Sequence, residues 1–435
     1  MTSSAPSSTR KVAVGTFIGT TIEWYDFFLY GTASALIFSR LFFPTFDPLT
    51  GTLLSFATFG VAFVARPIGG VIFGHFGDRL GRKPMLVVTL LMMGLATGFV
   101  GLLPTYETIG VAAPILLVLF RLVQGLSAGG EYGGAVLMTV EHAERGRRGF
   151  YGSWVQAGSP AGLILANVAF LAVAQLPEAA LFSWGWRIPF LASFVLVVVG
   201  LVIRVALDES PEFAKVKRTT GTEAAPVVVA LRNDWRQILL TAGAYVSAGV
   251  TVYGAAVFSL SYASTTAGFT RTEALMFVIL GQVLAFVAIP LFGALCDRVG
   301  SKPVFLGGVV GMGLLAFPWL WLLDSGSFGL ALLGYCLLFI PYSACYGAMA
   351  SFFASVYETR VGYSGFSMGY QLGTIVGSAF APIIAAQLLA STGTVAAVGW
   401  YLVAAAVVSL VCAAYLGSAR READVPARLG RELAT

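Results

Sequence analysis

Charge is scarce in this chain. Asp, Glu, Lys and Arg make up 11% of its 435 residues, against about a quarter in an ordinary soluble domain, while 57% are hydrophobic and the mean hydropathy is +0.85. So few charges cannot clothe a water-facing surface, which excludes a soluble globular protein. Histidine is scarcer still: His75 and His142 are the two, and neither belongs to a His-Glu-x-x-His arrangement. A phosphate-binding Gly-x-x-x-x-Gly-Lys loop is missing as well. These absences speak against histidine catalysis, a metal centre and nucleotide hydrolysis, so the chain reads as no enzyme and no cofactor is expected. Cys296, Cys336, Cys345 and Cys412 sit in apolar runs without a Cys-x-x-Cys spacing and are read as packing residues.

What fills the chain instead is a series of apolar runs, each about 20 residues or more, long enough to cross ~30 Å of hydrocarbon. They lie near 12–38, 51–75, 84–104, 111–140, 150–175 and 186–207, and again near 235–262, 271–295, 303–323, 328–356, 363–388 and 394–416. The fold class is therefore an all-α polytopic membrane protein of twelve spans. It divides into a six-helix half over 1–207, a polar linker over 208–234 broken by Pro211 and Pro226, a second six-helix half over 235–416, and a basic tail over 417–435. The first run follows Arg10 and Lys11 as a signal peptide's would, but it carries Glu23 and Asp26 and lacks a small-residue cleavage site, so it reads as a retained span.

Of the 26 Lys and Arg residues, only Arg40, Arg187 and Arg271 fall on one side and Arg66 and Arg121 within spans; all others fall on the side of the termini and the linker. The positive-inside rule then places both termini and the linker in the cytoplasm of a bacterial inner membrane. The net charge of +5 faces anionic lipid and implies no nucleic-acid partner.

The two halves repeat each other. After the second span the chain reads Gly74-His75-Phe76-Gly77-Asp78-Arg79-Leu80-Gly81-Arg82-Lys83-Pro84, and after the eighth Gly293-Ala294-Leu295-Cys296-Asp297-Arg298-Val299-Gly300-Ser301-Lys302-Pro303. A weaker echo links Arg147–Gln156 at the fifth span to Arg360–Gln371 at the eleventh. Parallel halves joined by a cytoplasmic linker are the build of a rocking carrier with its site between the halves. Asp78, Arg79, Arg82 and Lys83, and Asp297 with Arg298, stand where helices end at the cytoplasmic face, where such charges pair with neighbouring helix ends only while these are close. They read as a latch, the bland alternative being charges that merely snorkel to the interface.

That loop resembles the signature of the major facilitator superfamily. A narrower resemblance, to its metabolite:proton symporter branch, is carried by Glu23-Trp24-Tyr25-Asp26-Phe27, Arg66-Pro67-Ile68-Gly69, Arg121-Leu122-Val123-Gln124-Gly125 with Gly129-Gly130-Glu131, Arg148-Gly149-Phe150-Tyr151-Gly152-Ser153, Gly185-Trp186-Arg187-Ile188-Pro189-Phe190 and Glu209-Ser210-Pro211-Glu212-Phe213. That branch includes shikimate, α-ketoglutarate, citrate and proline/betaine carriers. The resemblance covers 12–416 and implies alternating access driven by proton entry, with the repeated loop closing the cytoplasmic side.

Five ionisable residues stand inside spans, each costing at least ~2.5 kcal/mol on insertion scales and so needing a reason. Asp26 lies roughly 22 Å beyond Lys11 along the first helix, near the midplane, with Glu23 three residues away on the same face. Two carboxyls on one face repel when both are charged, so Asp26, Glu23 and also Glu131 are candidates to carry the coupling proton. Arg66 and Glu131 stand at similar depth and are expected to pair, Arg66 counting with the latch. Arg121, near the depth of Asp26, is expected to hold Asp26 or a substrate carboxylate. The alternative is that both pairs are structural. Tyr30, Gln124, Trp154, Gln156, Asn167, Tyr253, Gln282 and Tyr346 are further candidate cavity residues, each equally able to make an interhelical hydrogen bond or to touch a substrate. The Gly-x-x-x-Gly spacings at Gly70–Gly74, Gly125–Gly129, Gly158–Gly162 and Gly369–Gly373 read as helix packing.

The expected function is proton-coupled uptake of a small organic acid or similar polar metabolite by a monomer, the proton being the coupling ion. A proton-linked carrier of a zwitterionic osmolyte such as proline or betaine also fits the branch, although the tail carries Pro426 and no heptad where an osmosensing member would have a coiled coil. A membrane receptor or intramembrane enzyme is supported by neither the repeat nor the buried acids.

Overall fold

The structure, a computed structural model, describes residues 6–80, 82–129, 146–205, 234–357 and 362–416, with isolated positions at 136, 139, 143 and 232. Side chains within 6–13, 74–84, 203–205 and 362–364 and at 86 lie outside the description. So do Glu131, the side chains of Asp78, Arg79, Arg82 and Lys83, nearly all of the linker and the whole tail.

Twelve long helices run through the described residues. In the first half they are α1 (Pro6–Leu36), α2 (Pro48–Leu80), α3 (Arg82–Leu102), α4 (Ala112–Ala128), α5 (Arg148–Val173) and α6 (Arg187–Val205). The second half begins with α7, Trp235–Tyr253, which passes through a π-helical turn at Gly254–Phe258 into Ser259–Thr265. It continues with α8 (Arg271–Val299), α9 (Ser301–Leu323), α10 (Phe328–Ala354), α11 (Gly362–Thr374, a π turn at Ile375–Ala379, then Ala381–Thr392) and α12 (Ala396–Tyr415). Nine stretches among the described residues are long and apolar enough to cross a membrane. Surface and interior are inverted relative to a soluble protein: Leu314, Leu291 and Val195 are 72%, 67% and 66% exposed, whereas Asp26, Arg66 and Arg121 are buried. Only a hydrocarbon surround makes that arrangement favourable.

Helix pairing repeats between the halves. α1 packs on α5, α2 on α4 and α3 on α6; correspondingly α7 packs on α11, α8 on α10 and α9 on α12. Glycines set the register, because without Cβ atoms two backbones can touch. A Cβ on Gly158 would lie 2.8 Å from Thr20 Cβ, and one on Gly162 2.5 Å from the Thr21 carbonyl oxygen. In the other half, a Cβ on Gly369 would lie 2.8 Å from Thr241 Cβ, and one on Gly373 2.9 Å from the Ala242 carbonyl oxygen. Gly158 therefore answers Gly369, which makes Ser367, not Gln371, the counterpart of Gln156. The echo read from the sequence is thus one turn out of register: a four-residue slip keeps the same helix face, so a short motif cannot detect it.

Candidate functional site

Buried polar groups gather in two neighbouring clusters. The first lies wholly among helices of the first half. Asp26, on α1, accepts a hydrogen bond from Ser193 Oγ of α6 at 2.7 Å. Arg121, fully buried on α4, donates through Nη1 to Gln124 Oε1 at 2.7 Å and through Nη2 to the Phe59 carbonyl at 3.1 Å. Its guanidinium carbon lies 3.9 Å from the centre of the Tyr30 ring, whose hydroxyl donates to Thr58 Oγ1 at 2.8 Å. Gln124 Nε2 in turn donates to Thr97 Oγ1 at 2.6 Å. The direct Asp26–Arg121 ion pair expected from the sequence is not formed. Tyr30 sits one turn beyond Asp26 and takes the face of the guanidinium, while Gln124 accepts from Nη1.

The second cluster lies between the halves. Arg66 of α2 stands 4.0 Å from Glu23 of α1, with its guanidinium carbon 3.9 Å from the Phe27 ring centre, 4.9 Å from Phe63 and 5.4 Å from Trp24. Its Nε and Nη2 are buried and make no hydrogen bond, and the same is true of Trp24 Nε1, Tyr253 OH and Gln282 Nε2. Glu23 and Asp26 share one helix but turn apart, Glu23 toward Arg66 and Asp26 toward Ser193. From the second half, Tyr253 stacks on Phe28 at 5.5 Å between ring centres, Tyr245 meets Tyr370 at 4.8 Å, and Tyr346 stacks on Tyr342 at 5.4 Å. Two glutamines cross the seam: Gln156 Nε2 donates to the Tyr346 carbonyl at 3.3 Å and Gln371 Nε2 to the Gly129 carbonyl at 3.4 Å.

Of the residues singled out in the sequence, Tyr30, Gln124 and Arg121 thus join Asp26, while Gln156, Tyr253 and Tyr346 join Glu23 and Arg66. Arg66 is an interior residue of the central cluster and not part of a surface latch. Trp154 stands apart, edge-on to Phe17, Phe150 and Phe286, and Asn167 accepts from Thr32 Oγ1 at 2.8 Å. Thr97, Ser193, Trp24, Tyr245, Tyr370 and Gln371 were not singled out. The tyrosines carried a readable signal, since a phenol within an apolar span asks for a partner; the small hydroxyls carried none.

The halves meet at both ends. On the side of the repeated loop, Asp297 accepts from the backbone N–H groups of Gly149 and Phe150 at 2.8 and 3.0 Å, capping the first turn of α5. Arg298 is exposed and, with Asp297, Gly146, Arg147, Phe150 and Ala294, lines a surface recess of about 310 Å³. Gly293 allows no side chain there, since a Cβ would lie 2.2 Å from Ser153 Oγ. At the opposite end a Cβ on Gly60 would lie 2.9 Å from the Ala379 carbonyl oxygen, and Gln175 Nε2 donates to Thr272 Oγ1 at 3.3 Å. Described residues of the two halves thus touch on either side of the central cluster.

Membrane-crossing helices in two repeated sets that meet around a shared polar cluster define a multi-pass membrane transporter rather than an enzyme. The chain belongs to the sugar (and other) transporter family, whose model matches residues 12–238, and it has the major facilitator fold. It is 40% identical over 421 residues to the shikimate transporter of Escherichia coli K12, covering 95% of this chain and 96% of that one. It is 34% identical over 413 residues to the proline/betaine transporter of the same organism, covering 92% of this chain and 82% of that one. Among solved structures, it superposes on the proton:xylose symporter XylE from E. coli with a TM-score of 0.73 at 14% identity, covering 94% of this chain and 95% of that one.

Proposed function

We infer that the protein is a proton-coupled symporter that takes up a small organic acid, with Arg66 receiving the substrate carboxylate and Asp26 carrying the coupling proton. The observation that carries this reading is the guanidinium of Arg66: buried between the halves, held only loosely by Glu23 at 4.0 Å, and left with Nε and Nη2 unbonded. A buried charged donor without acceptors is costly, and a carboxylate bound in two-pronged fashion relieves that cost. Two unbonded groups nearby, Trp24 Nε1 and Tyr253 OH, can both donate, which again favours a ligand rich in acceptor oxygens. Arg121, whose donor edge is taken by Gln124 and Phe59, is reassigned from substrate contact to the coupling web.

The repeated loops serve as the cytoplasmic latch, Asp297 holding the first turn of α5 while that side is shut. The protein sits in the bacterial inner membrane with both termini and the linker cytoplasmic, and works as a monomer. Glu23 beside Arg66 also suits a zwitterion, with the ammonium on Glu23. Binding of shikimate, proline and betaine to purified wild type and Arg66→Lys separates these readings. The organic-acid reading expects the acid to bind wild type best and to lose roughly 1–3 kcal/mol in the lysine variant, which keeps the charge and loses the fork. Preference for the zwitterions, or unchanged acid affinity in the variant, would refute it.

A further inference from the structure

Tyr25 and Asp26 are neighbours on α1, and both reach the same turn of α6. The Tyr25 hydroxyl donates to the Pro189 carbonyl oxygen at 2.6 Å, and Ser193 Oγ donates to Asp26 Oδ1 at 2.7 Å, all of them buried. A serine inside a helix commonly turns its hydroxyl back onto a carbonyl one turn before it, and for Ser193 the Pro189 oxygen is such an acceptor. That oxygen is already taken. In an α-helix it receives the Ser193 N–H, and the Tyr25 hydroxyl fills its second lone pair. Ser193 points across to α1 instead. Glycines of α3 hold α6 in this rotation, because a Cβ on Gly94 would lie 1.7 Å from Val197 Cγ2 and one on Gly101 2.8 Å from Phe190 Cβ.

We propose that Ser193 is the positioning residue that lets Asp26 give up its proton, and that Tyr25 keeps Ser193 in that role by barring its return to Pro189. Among the described residues Asp26 forms no ion pair within 4.0 Å, so the Ser193 hydroxyl is what its ionised form leans on. A buried carboxylate without a donor is costly. A hydrogen bond to an ionised acceptor is roughly twice as strong as one to a neutral acceptor, so the Ser193 bond tightens as the proton leaves Asp26 and slackens as it returns. In that step only the Asp26 O–H bond breaks, its proton passing to water on the cytoplasmic side. The Ser193 O–H stays whole.

This rests on Asp26 being the coupling acid. Among the described residues, the charged and titratable groups around it are Glu23 and Tyr25 on its own helix, Arg66 of α2 beside Glu23, and Arg121 of α4, whose guanidinium lies over Phe27 and Tyr30 just beyond Asp26. From α7, Tyr253 meets Phe28. The Thr97 hydroxyl of α3 goes to the Met93 carbonyl, and α5 and the π turn of α7 carry no titratable side chain at this level. Infrared difference spectra of the full-length protein in lipid, recorded against pH without substrate, read the carboxyl, which is assigned to Asp26 by loss of its band in Asp26→Asn. In Ser193→Ala the Asp26 midpoint should rise by about one pH unit or more, the worth of one hydrogen bond to a charged acceptor. The pH profile of net uptake in proteoliposomes should move up with it, which loss of packing alone would not produce. Tyr25→Phe keeps the ring and frees the Pro189 oxygen, so the midpoint should rise by less. Combined with Ser193→Ala it should add nothing, because Tyr25 acts through Ser193. An unchanged midpoint in Ser193→Ala overturns the positioning role and leaves Asp26 as coupling acid, and additive shifts in the double variant overturn the part given to Tyr25. Absence of any titrating band that depends on Asp26 overturns the coupling role and this proposal together.

Discussion

Position 247 in α7 answers position 26 in α1, because Thr241 and Thr20 meet their partner glycines in the same way. A serine stands there instead of an acid. Ser193 of α6 donates to Asp26, and in the second half Ser409 of α12 accepts from the Ser247 backbone N–H at 2.8 Å. The repeat has kept the hydroxyl and dropped the charge. Only the first half therefore has an acid at this level, and Asp26→Asn is expected to remove substrate-driven proton uptake while exchange of substrate across the membrane survives. An amide keeps the shape and cannot take up the proton; proteoliposomes that still acidify at the wild-type rate would transfer the role to Glu23 or Glu131. Asp26, Glu23, Arg66 and Arg121 were all legible in the sequence, since a charge in a span is costly enough to demand a reason. Their partners were not: helical spacing puts Glu23 and Asp26 on one face, whereas the structure turns them to different neighbours, which depends on where Arg66 and Ser193 come to lie.

Among helices, the tight contacts are made by glycine. A Cβ on Gly125 would lie 2.1 Å from the Ala62 carbonyl oxygen, and one on Gly69 1.8 Å from that of Leu126, so α2 and α4 touch backbone to backbone. This contact sets the depth of both Arg66 and Arg121, which project from the same two helices. Gly125→Ala must push the helices apart and is expected to lower stability by roughly 1–3 kcal/mol. Gly307→Ala, on an open face of α9 with nothing within 4 Å, should be near neutral. Thermal unfolding of the two variants in detergent, side by side, tests the difference. The Gly-x-x-x-Gly spacing made this packing readable from the sequence. The π turns in α7 and α11 were not readable, because one extra residue in a helical turn leaves no mark in composition, yet they sit where the second half meets Gly31 and Gly60 of the first.

At the scale of the whole molecule, the number and order of the helices followed from hydropathy alone, as each apolar run must cross the same thickness. That the halves touch at Asp297 with Gly149 and at Gly60 with Ala379 did not, because contacts across the seam depend on which of several packings the halves adopt. The asymmetry between Asp26 and Ser247 has a thermodynamic consequence. On the proposed assignment of Asp26 as the single coupling acid, a cycle moves one proton, and a substrate with a single carboxylate brings one negative charge, so the loaded carrier would cross without net charge. Membrane voltage, worth about 2.3 kcal/mol per elementary charge at 100 mV, then does no work on transport. Accumulation is expected to follow the pH gradient alone, about tenfold for each pH unit. Vesicles clamped at different potentials with potassium and valinomycin should show equal final accumulation of a monocarboxylate at equal pH gradient. A level that climbs with voltage would mean a second proton or an uncharged cargo, and the bacterium would then draw on its whole proton-motive force where this architecture uses only the chemical half.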